Sequence, residues 1–333
     1  MPTRSRRRFL RNSLTVAGLG LLTGCGLLPL RQQPPAKLYR IGFLTSDSTQ
    51  QTREEALRQA LHTLGYVEGQ TVTIEFRRSD EGERLRASAH ELTQLGVGVI
   101  ITGSGPASVA AKSITSTVPI VMAYTDDPVG IGLVASLNRP GGNVTGLTSY
   151  IGTLAGKRLE LLKEIVPALA RVAILWNAAS PTHAASVRAA EDAARTLGVE
   201  PHSLEIREPG ALEAAFESAT KEWVGAVMTT PSPFFGRERT RFAELGLKHR
   251  LPIMSTAREG VIAGTLLSYA PDPDELFRRA ATYVDKILKG ASPADLPIEQ
   301  PTTFEFSINL KTAHALRLTI PQSILAQATE IIQ

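Results

Sequence analysis

The chain says the same thing twice. "TLGYVEGQTVTIEFR" (63–77) returns in altered form as "TLGVEPHSLEIR" (196–207), 133 positions on. By itself the pair is an ordinary helix end, a Gly stop and a strand. The neighbouring segments, however, repeat in the same order: "RIGFLT" (40–45) is answered by "RVAILW" (171–176), "VGVIIT" (97–102) by "VGAVMTT" (224–230), and "VPIVMA" (118–123) by "LPIMST" (251–256). An ordered series of this kind is a duplication, and it limits the chain to folds made of two similar halves.

Each half alternates strand and helix. In the first, "TREEALRQALHTLG" (52–65) sets Ala56, Leu57, Ala60, Leu61 and Leu64 on one helical face, with Gly65 as the stop. Short, continuously apolar strands between such helices are those of a parallel sheet buried on both faces. The sequence therefore predicts an α/β protein of two similar doubly wound parallel-sheet lobes. After each fourth strand it predicts a short helix (128–137 and 257–264) and an extended piece (142–150 and 264–272). A third extended piece (301–310) precedes a C-terminal helix. Three crossings make a three-segment hinge with a cleft between the lobes. Residues 38–147 with 270–300 are assigned to lobe one, and 148–269 with 301–333 to lobe two.

The N-terminus stands apart from this pattern. Residues 1–25 carry five arginines and no acidic residue, then a Gly-rich apolar run from Leu14 to Gly24. That run falls short of the about 20 apolar residues a membrane span needs, so it reads as an export signal. Ser5-Arg6-Arg7-Arg8-Phe9-Leu10-Arg11 resembles the twin-arginine motif, and Leu22-Thr23-Gly24-Cys25 the lipobox, whose cysteine is acylated to become a lipid anchor. A Sec-type signal with an incidental cysteine is the alternative. Residues 26–37, "GLLPLRQQPPAK", form a tether.

Composition excludes several functions. Beyond residue 25 the chain has 31 basic against 32 acidic residues, so nothing there suggests nucleic acid. Cys25 is the single cysteine, which leaves no disulfide, thiolate cluster or catalytic thiol inside the fold. The six histidines (62, 90, 183, 202, 249, 314) stand singly, so no metal or cofactor site is expected.

In open α/β sheets ligands bind beyond the carboxyl ends of the strands. In lobe one those ends carry Thr45 and Ser46, Gly103 and Ser104, then Tyr124, Thr125, Asp126 and Asp127; in lobe two, Trp176, Asn177 and Ser180, then Thr230 and Ser232, with Tyr269 at a crossing. Hydroxyls, amides and aromatic rings bind a polar organic solute and catalyse little unaided. Each also has a structural reading: Ser104 and Ser180 as helix caps, one of Asp126 and Asp127 as the cap of the helix after Pro128, Trp176 as core, and Phe234 and Phe235 as an apolar cover. No nucleophile–base–orienter set accompanies them, so an enzyme is not expected.

"DPVGIGLVASLNRPGGNVTGLTS" (127–149), "GKRLELLKEIVP" (156–167), "AATYVDKILKGASPADLPIEQPTTFEFSINLKTAHAL" (280–316) and "LTIPQSIL" (318–325) extend the reading. On these stretches the chain resembles the ABC-transporter substrate-binding family that includes tryptophan/tyrosine-type uptake proteins. The resemblance implies the type I periplasmic-binding fold and a monomeric, lipid-anchored, extracytoplasmic receptor. It also implies delivery of a small polar solute, amino-acid-like or an aromatic carboxylate, to ABC permease and ATPase subunits. Amino-acid binders of the family carry an Asp where this chain has "TTPSPFF" (229–235), and Tyr-Gly-Pro where it has Tyr269-Ala270-Pro271. A ligand-sensing lipoprotein and an exported hydrolase are the alternative readings.

Overall fold

Apolar residues at alternating positions build the first sheet, because successive side chains of a strand point to opposite faces. The computed structural model describes residues 38–46, 51–79, 82–149, 154–178 and 184–333, and Lys37–Gln333 forms one compact unit. The export signal, Cys25, the tether and Ser180 lie outside the described residues. Lobe one runs β1 (Tyr39–Thr45), α1 (Gln51–Thr63), β2 (Val72–Arg78), α2 (Glu83–Gln94), β3 (Val99–Thr102), α3 (Gly105–Ile114), β4 (Ile120–Thr125) and β5 (Val144–Thr148). Its five parallel strands lie in the order β2-β1-β3-β4-β5.

Lobe two begins with α4 (Ala155–Ile165) and repeats the series. Its elements are β6 (Arg171–Asn177), α5 (Ala184–Thr196), β7 (Glu200–Ile206), α6 (Ala211–Lys221), β8 (Ala226–Thr229), α7 (Pro233–Arg237), α8 (Arg239–Lys248), β9 (Ile253–Ser255), α9 (Arg258–Ala263) and β10 (Leu267–Pro271). After α10 (Pro273–Leu288) come β11 (Phe304–Asn309), α11 (Leu310–Ala315), α12 (Gln322–Leu325) and β12 (Glu330–Ile332). The second sheet, β12-β11-β10-β9-β8-β6-β7, contains the order of the first and adds two strands, β11 being antiparallel to β10.

The same alternation covers both faces of each sheet. In lobe one, Ile41, Phe43, Val99, Ile101 and Val121 pack against α1 and α10. Their neighbours Leu44, Ile100, Ile120 and Met122 pack against α2 and α3. In lobe two, Val172, Ala226 and Met228 join α4, whereas Ala173, Leu175 and Val227 join α6 and α8. A slip of one residue would exchange the two sets, so the apolar pattern sets the register. α10 follows the second crossing yet covers the first sheet, which ties the lobes together through the chain itself.

Two expectations are corrected. The segment 128–137 is a run of turns, not a helix. Asp127 draws the N–H groups of Gly130 and Ile131 back to itself, and Leu133 and Val134 both donate to the Pro128 carbonyl. The C-terminal segment is two short helices followed by β12, which pairs in parallel with β11.

Candidate functional site

Both sheets are wound so that β1 and β6 have neighbours on either side, and the loops after their strands open where the winding reverses. Loops of both lobes line one cavity of about 130 Å³, several times the roughly 10–15 Å³ that one water needs by this measure. Lobe one contributes Arg53, Gly103, Ser104, Tyr124, Thr125, Asp126 and Asp127, with Ser149 at the crossing just past β5, held to lobe one by its N–H on the Thr125 carbonyl. Lobe two contributes Thr229, Ser232, Phe235, Arg239, Phe242, Thr256 and Glu259 among others.

Ser104 and Ser232 occupy matching places. Each caps the helix after the third strand of its lobe, accepting from Ala107 N (3.4 Å) and Phe234 N (3.2 Å). Pro106 is the second residue of its helix and Pro233 the first, both within the first turn, where a missing N–H costs nothing. Both serines therefore have the capping role, and both face the cavity as well. Asp127 caps too, its Oδ1 taking Gly130 N at 2.8 Å, but it closes a turn instead of starting a helix.

Asp126 bridges the lobes. Its Oδ2 accepts from Ser186 Oγ on α5 at 2.7 Å. Two further bonds cross the cleft. Arg53 Nη2 on α1 meets Glu259 Oε1 on α9 at 2.6 Å, and Arg237 Nη1 donates to the Ser46 carbonyl at 3.4 Å. The Arg53 guanidinium also lies 5.7 Å from the centroid of the Tyr124 ring. Burial holds the Tyr124 phenol above its ordinary value, against the opposing pull of Arg53 and Arg158. Tyr124 is thus a neutral wall with a polar edge.

Arg158, on α4, is 2 % exposed and donates from Nε to the Tyr269 carbonyl at 2.7 Å. Burial lowers its pKa to about 10, which still leaves it charged at neutral pH. It braces β10, one of the crossings, from inside lobe two. Arg53, Glu259, Ser186 and Arg158 were not legible as site residues. They sit mid-helix or near helix starts, where sequence alone reads solvated or amphipathic positions.

Several residues expected in the site stand outside the described wall. Tyr269 stacks on Phe304 at 5.6 Å and meets Phe306 edge-on, so its ring belongs to the β10–β11 pair. Thr45 is fully buried opposite Arg78 in the β1–β2 register. Ser46 is bonded to Ser104, their Oγ atoms 2.9 Å apart, and so supports a wall residue without being one. Trp176 and Asn177 lie opposite Glu205 and Ile206 at the β6–β7 edge. Thr230 folds back, its N–H and Oγ1 both directed to the Leu175 carbonyl. Phe235, read as an apolar cover, both packs in the core and lines the cavity.

Two wall residues keep an unanswered hydrogen-bonding group. Ser149 and Thr229 are 0 % and 5 % exposed. Among the described residues, Ser149 Oγ and Thr229 Oγ1 are the buried hydroxyls without a hydrogen-bond partner. The remaining wall is largely apolar, with Pro106, Ile131, Pro231, Pro233, Phe235 and Phe242, and it carries charges of both signs. Such a surface encloses a small amphipathic molecule and holds its polar groups by hydrogen bonds and charge.

Comparison with known proteins follows the same line. The family model described as ABC transporter substrate binding protein matches residues 41–332. A tyrosine-binding protein of Clostridioides difficile (strain R20291) is 25 % identical over 315 residues, covering 90 % of this chain and 89 % of its own. An ABC domain from Streptococcus pneumonia, solved in complex with L-Trp, superposes with a TM-score of 0.82 at 24 % identity, over 89 % of this chain and 99 % of that one. A ligand-free, open substrate binding protein from Clostridium difficile gives 0.68 at 20 % identity over the same shares.

Proposed function

The chain belongs to the ABC transporter substrate-binding protein family, and from that premise we propose that it is a lipid-anchored extracytoplasmic receptor that closes on an amino-acid-like solute and presents it to a permease. It is a solute-binding protein, not an enzyme. The observation that carries the proposal is the cavity walled by both lobes and crossed by the Arg53–Glu259 and Ser186–Asp126 bonds.

Ligand contacts made to both lobes exist in full only when the cleft is shut. Binding therefore draws the population toward the closed form in proportion to that difference in affinity. The closed form is the species a permease would accept. Arg53 and Arg239 offer positive charge to a carboxylate, Asp126 and Glu259 offer negative charge to an ammonium, and Tyr124, Phe235 and Phe242 offer an apolar or aromatic surface. An α-amino acid with a large apolar side chain fits this inventory, and the tyrosine and tryptophan of the relatives are the solutes to try first. The export signal and Cys25 supply the anchor.

Small-angle scattering with and without L-tyrosine or L-tryptophan tests closure. We expect a smaller radius of gyration with a solute that also raises the melting temperature; an unchanged radius with such a solute counts against closure. Cys25→Ala should release the exported protein from membranes, and its retention there would remove the lipid anchor.

A further inference from the structure

The two lobes place a threonine at the same point, the last residue of the third strand: Thr102 on β3 and Thr229 on β8. Their surroundings differ. In lobe one, Ser108 lies four residues past the cap Ser104. Its Oγ is 2.7 Å from Thr102 Oγ1 and 3.0 Å from Thr125 Oγ1, and it also donates to the Ser104 carbonyl. That chain is sealed, with all three hydroxyl residues at most 1 % exposed. In lobe two, the residue four past the cap Ser232 is Gly236. A Cβ placed there would meet nothing within 4 Å, and Gly236 lines the cavity. Lobe two thus has no hydroxyl at the position of Ser108, and Thr229 Oγ1 is without a partner.

Opposite, on the crossing just past β5, Ser149 is fixed to lobe one by its N–H on the Thr125 carbonyl at 2.8 Å. Its hydroxyl is likewise without a partner. A buried polar group left unpaired costs about 1–3 kcal/mol, and native proteins keep few of them. Two such groups, one from each side, in the wall of a single cavity are explained together if a guest completes them.

We infer that Thr229 and Ser149 are the specificity-determining hydroxyls of the site, bonding the polar end of the solute from opposite lobes. The inference rests on the cleft reading above and deepens it. Neither group carries charge, so both hold the solute independently of pH, beside the charged Asp126, Glu259 and Arg53.

The test compares Thr229→Val and Ser149→Ala with Thr102→Val, using thermal unfolding without solute and titration with the twenty L-amino acids. Removing an unpaired hydroxyl should leave the solute-free melting temperature unchanged or raise it, whereas Thr102→Val, which breaks a completed bond, should lower it by roughly 2–4 °C. Thr229→Val and Ser149→Ala should each weaken the amino acid that wild type binds by roughly tenfold. A melting temperature lowered in Thr229→Val as much as in Thr102→Val overturns the inference, as does wild-type affinity in Thr229→Val. If wild type binds none of the twenty, the amino-acid reading fails by itself. The thermal arm then decides: an unlowered Thr229→Val beside a lowered Thr102→Val upholds the open hydroxyl, and equal losses remove it.

Discussion

Lobe one completes the hydroxyl at the end of its third strand with its own side chains, and lobe two leaves the matching hydroxyl without a partner. Thr102, Ser108 and Thr125 form a closed chain of hydroxyls, whereas Thr229, in the wall of the cavity, has a hydroxyl with no partner. The duplicated frame is the same, down to the strand order 2-1-3-4-5 and the capped helix after the third strand. Divergence at the carboxyl ends of the strands is where a duplicated pair of lobes acquires a site. A frame that packs two ways will fold; only the unequal ends give a guest a preferred orientation.

The comparison can be broken at its glycines. Gly146 lies in β5 with φ 123°, and a Cβ there would meet the Met122 carbonyl oxygen at 2.2 Å and its nitrogen at 2.6 Å. Gly264, before β10, has φ 119° but would meet only the Ala243 Cβ, at 3.3 Å. Both alanine variants carry the penalty of a left-handed residue, about 1 kcal/mol, and the first adds a backbone collision within the sheet. We expect Gly146→Ala to lose more than about 3 kcal/mol in urea unfolding and Gly264→Ala about 1. Equal losses would mean that the two crossings are held alike.

A smaller effect sharpens the contribution of each lobe to closure. Arg53 and Glu259 come from opposite lobes, and their side chains are 11 % and 40 % exposed. Glu259→Gln should leave each lobe folded and enlarge the solute-free radius in scattering, for a bond worth at most about 1 kcal/mol. An unaltered radius would move the burden of closure to Asp126 with Ser186, and to Arg237.

The smallest effect lies at the hinge, which neither lobe duplicates. Glu305, on β11 opposite Ala270, has its carboxyl pushed up to about 7, first by burial and then by Asp272. Arg258 works in the opposite direction, and Glu259 and Asp274 add to the rise. A carboxyl that binds its proton more tightly when folded stabilises the protein fully below about pH 4.5. That contribution is lost as pH climbs through about 7. Thermal unfolding of Glu305→Gln should therefore fall less between pH 5 and pH 8 than that of wild type, and parallel curves would show that Glu305 ionises freely.

Much of this was legible along the chain. Alternating apolar positions gave the strands, their repetition gave two lobes, and strand ends pointed to Ser104, Tyr124, Asp126 and Ser232, all of which line the cavity. Tyr269 is not in the wall: Phe304, from a strand 35 positions later, stacks on its ring, which no local pattern announces. Thr230 was preferred to Thr229 because adjacent threonines cannot be told apart without knowing which one turns back to Leu175. The cleft pair of Arg53 and Glu259 spans 206 positions, and no local signal joins them.

The amino-acid sequence by itself determined the duplicated α/β frame, its parallel sheets and the face each apolar residue buries. Those depend on periodicities of two and 3.6 residues, which any short window displays. Only the tertiary structure decided which hydroxyls are completed by neighbours and which are left without a partner in the cavity wall. A hydrogen bond requires a partner within about 3 Å, and the partner's distance in space is not written in its distance along the chain.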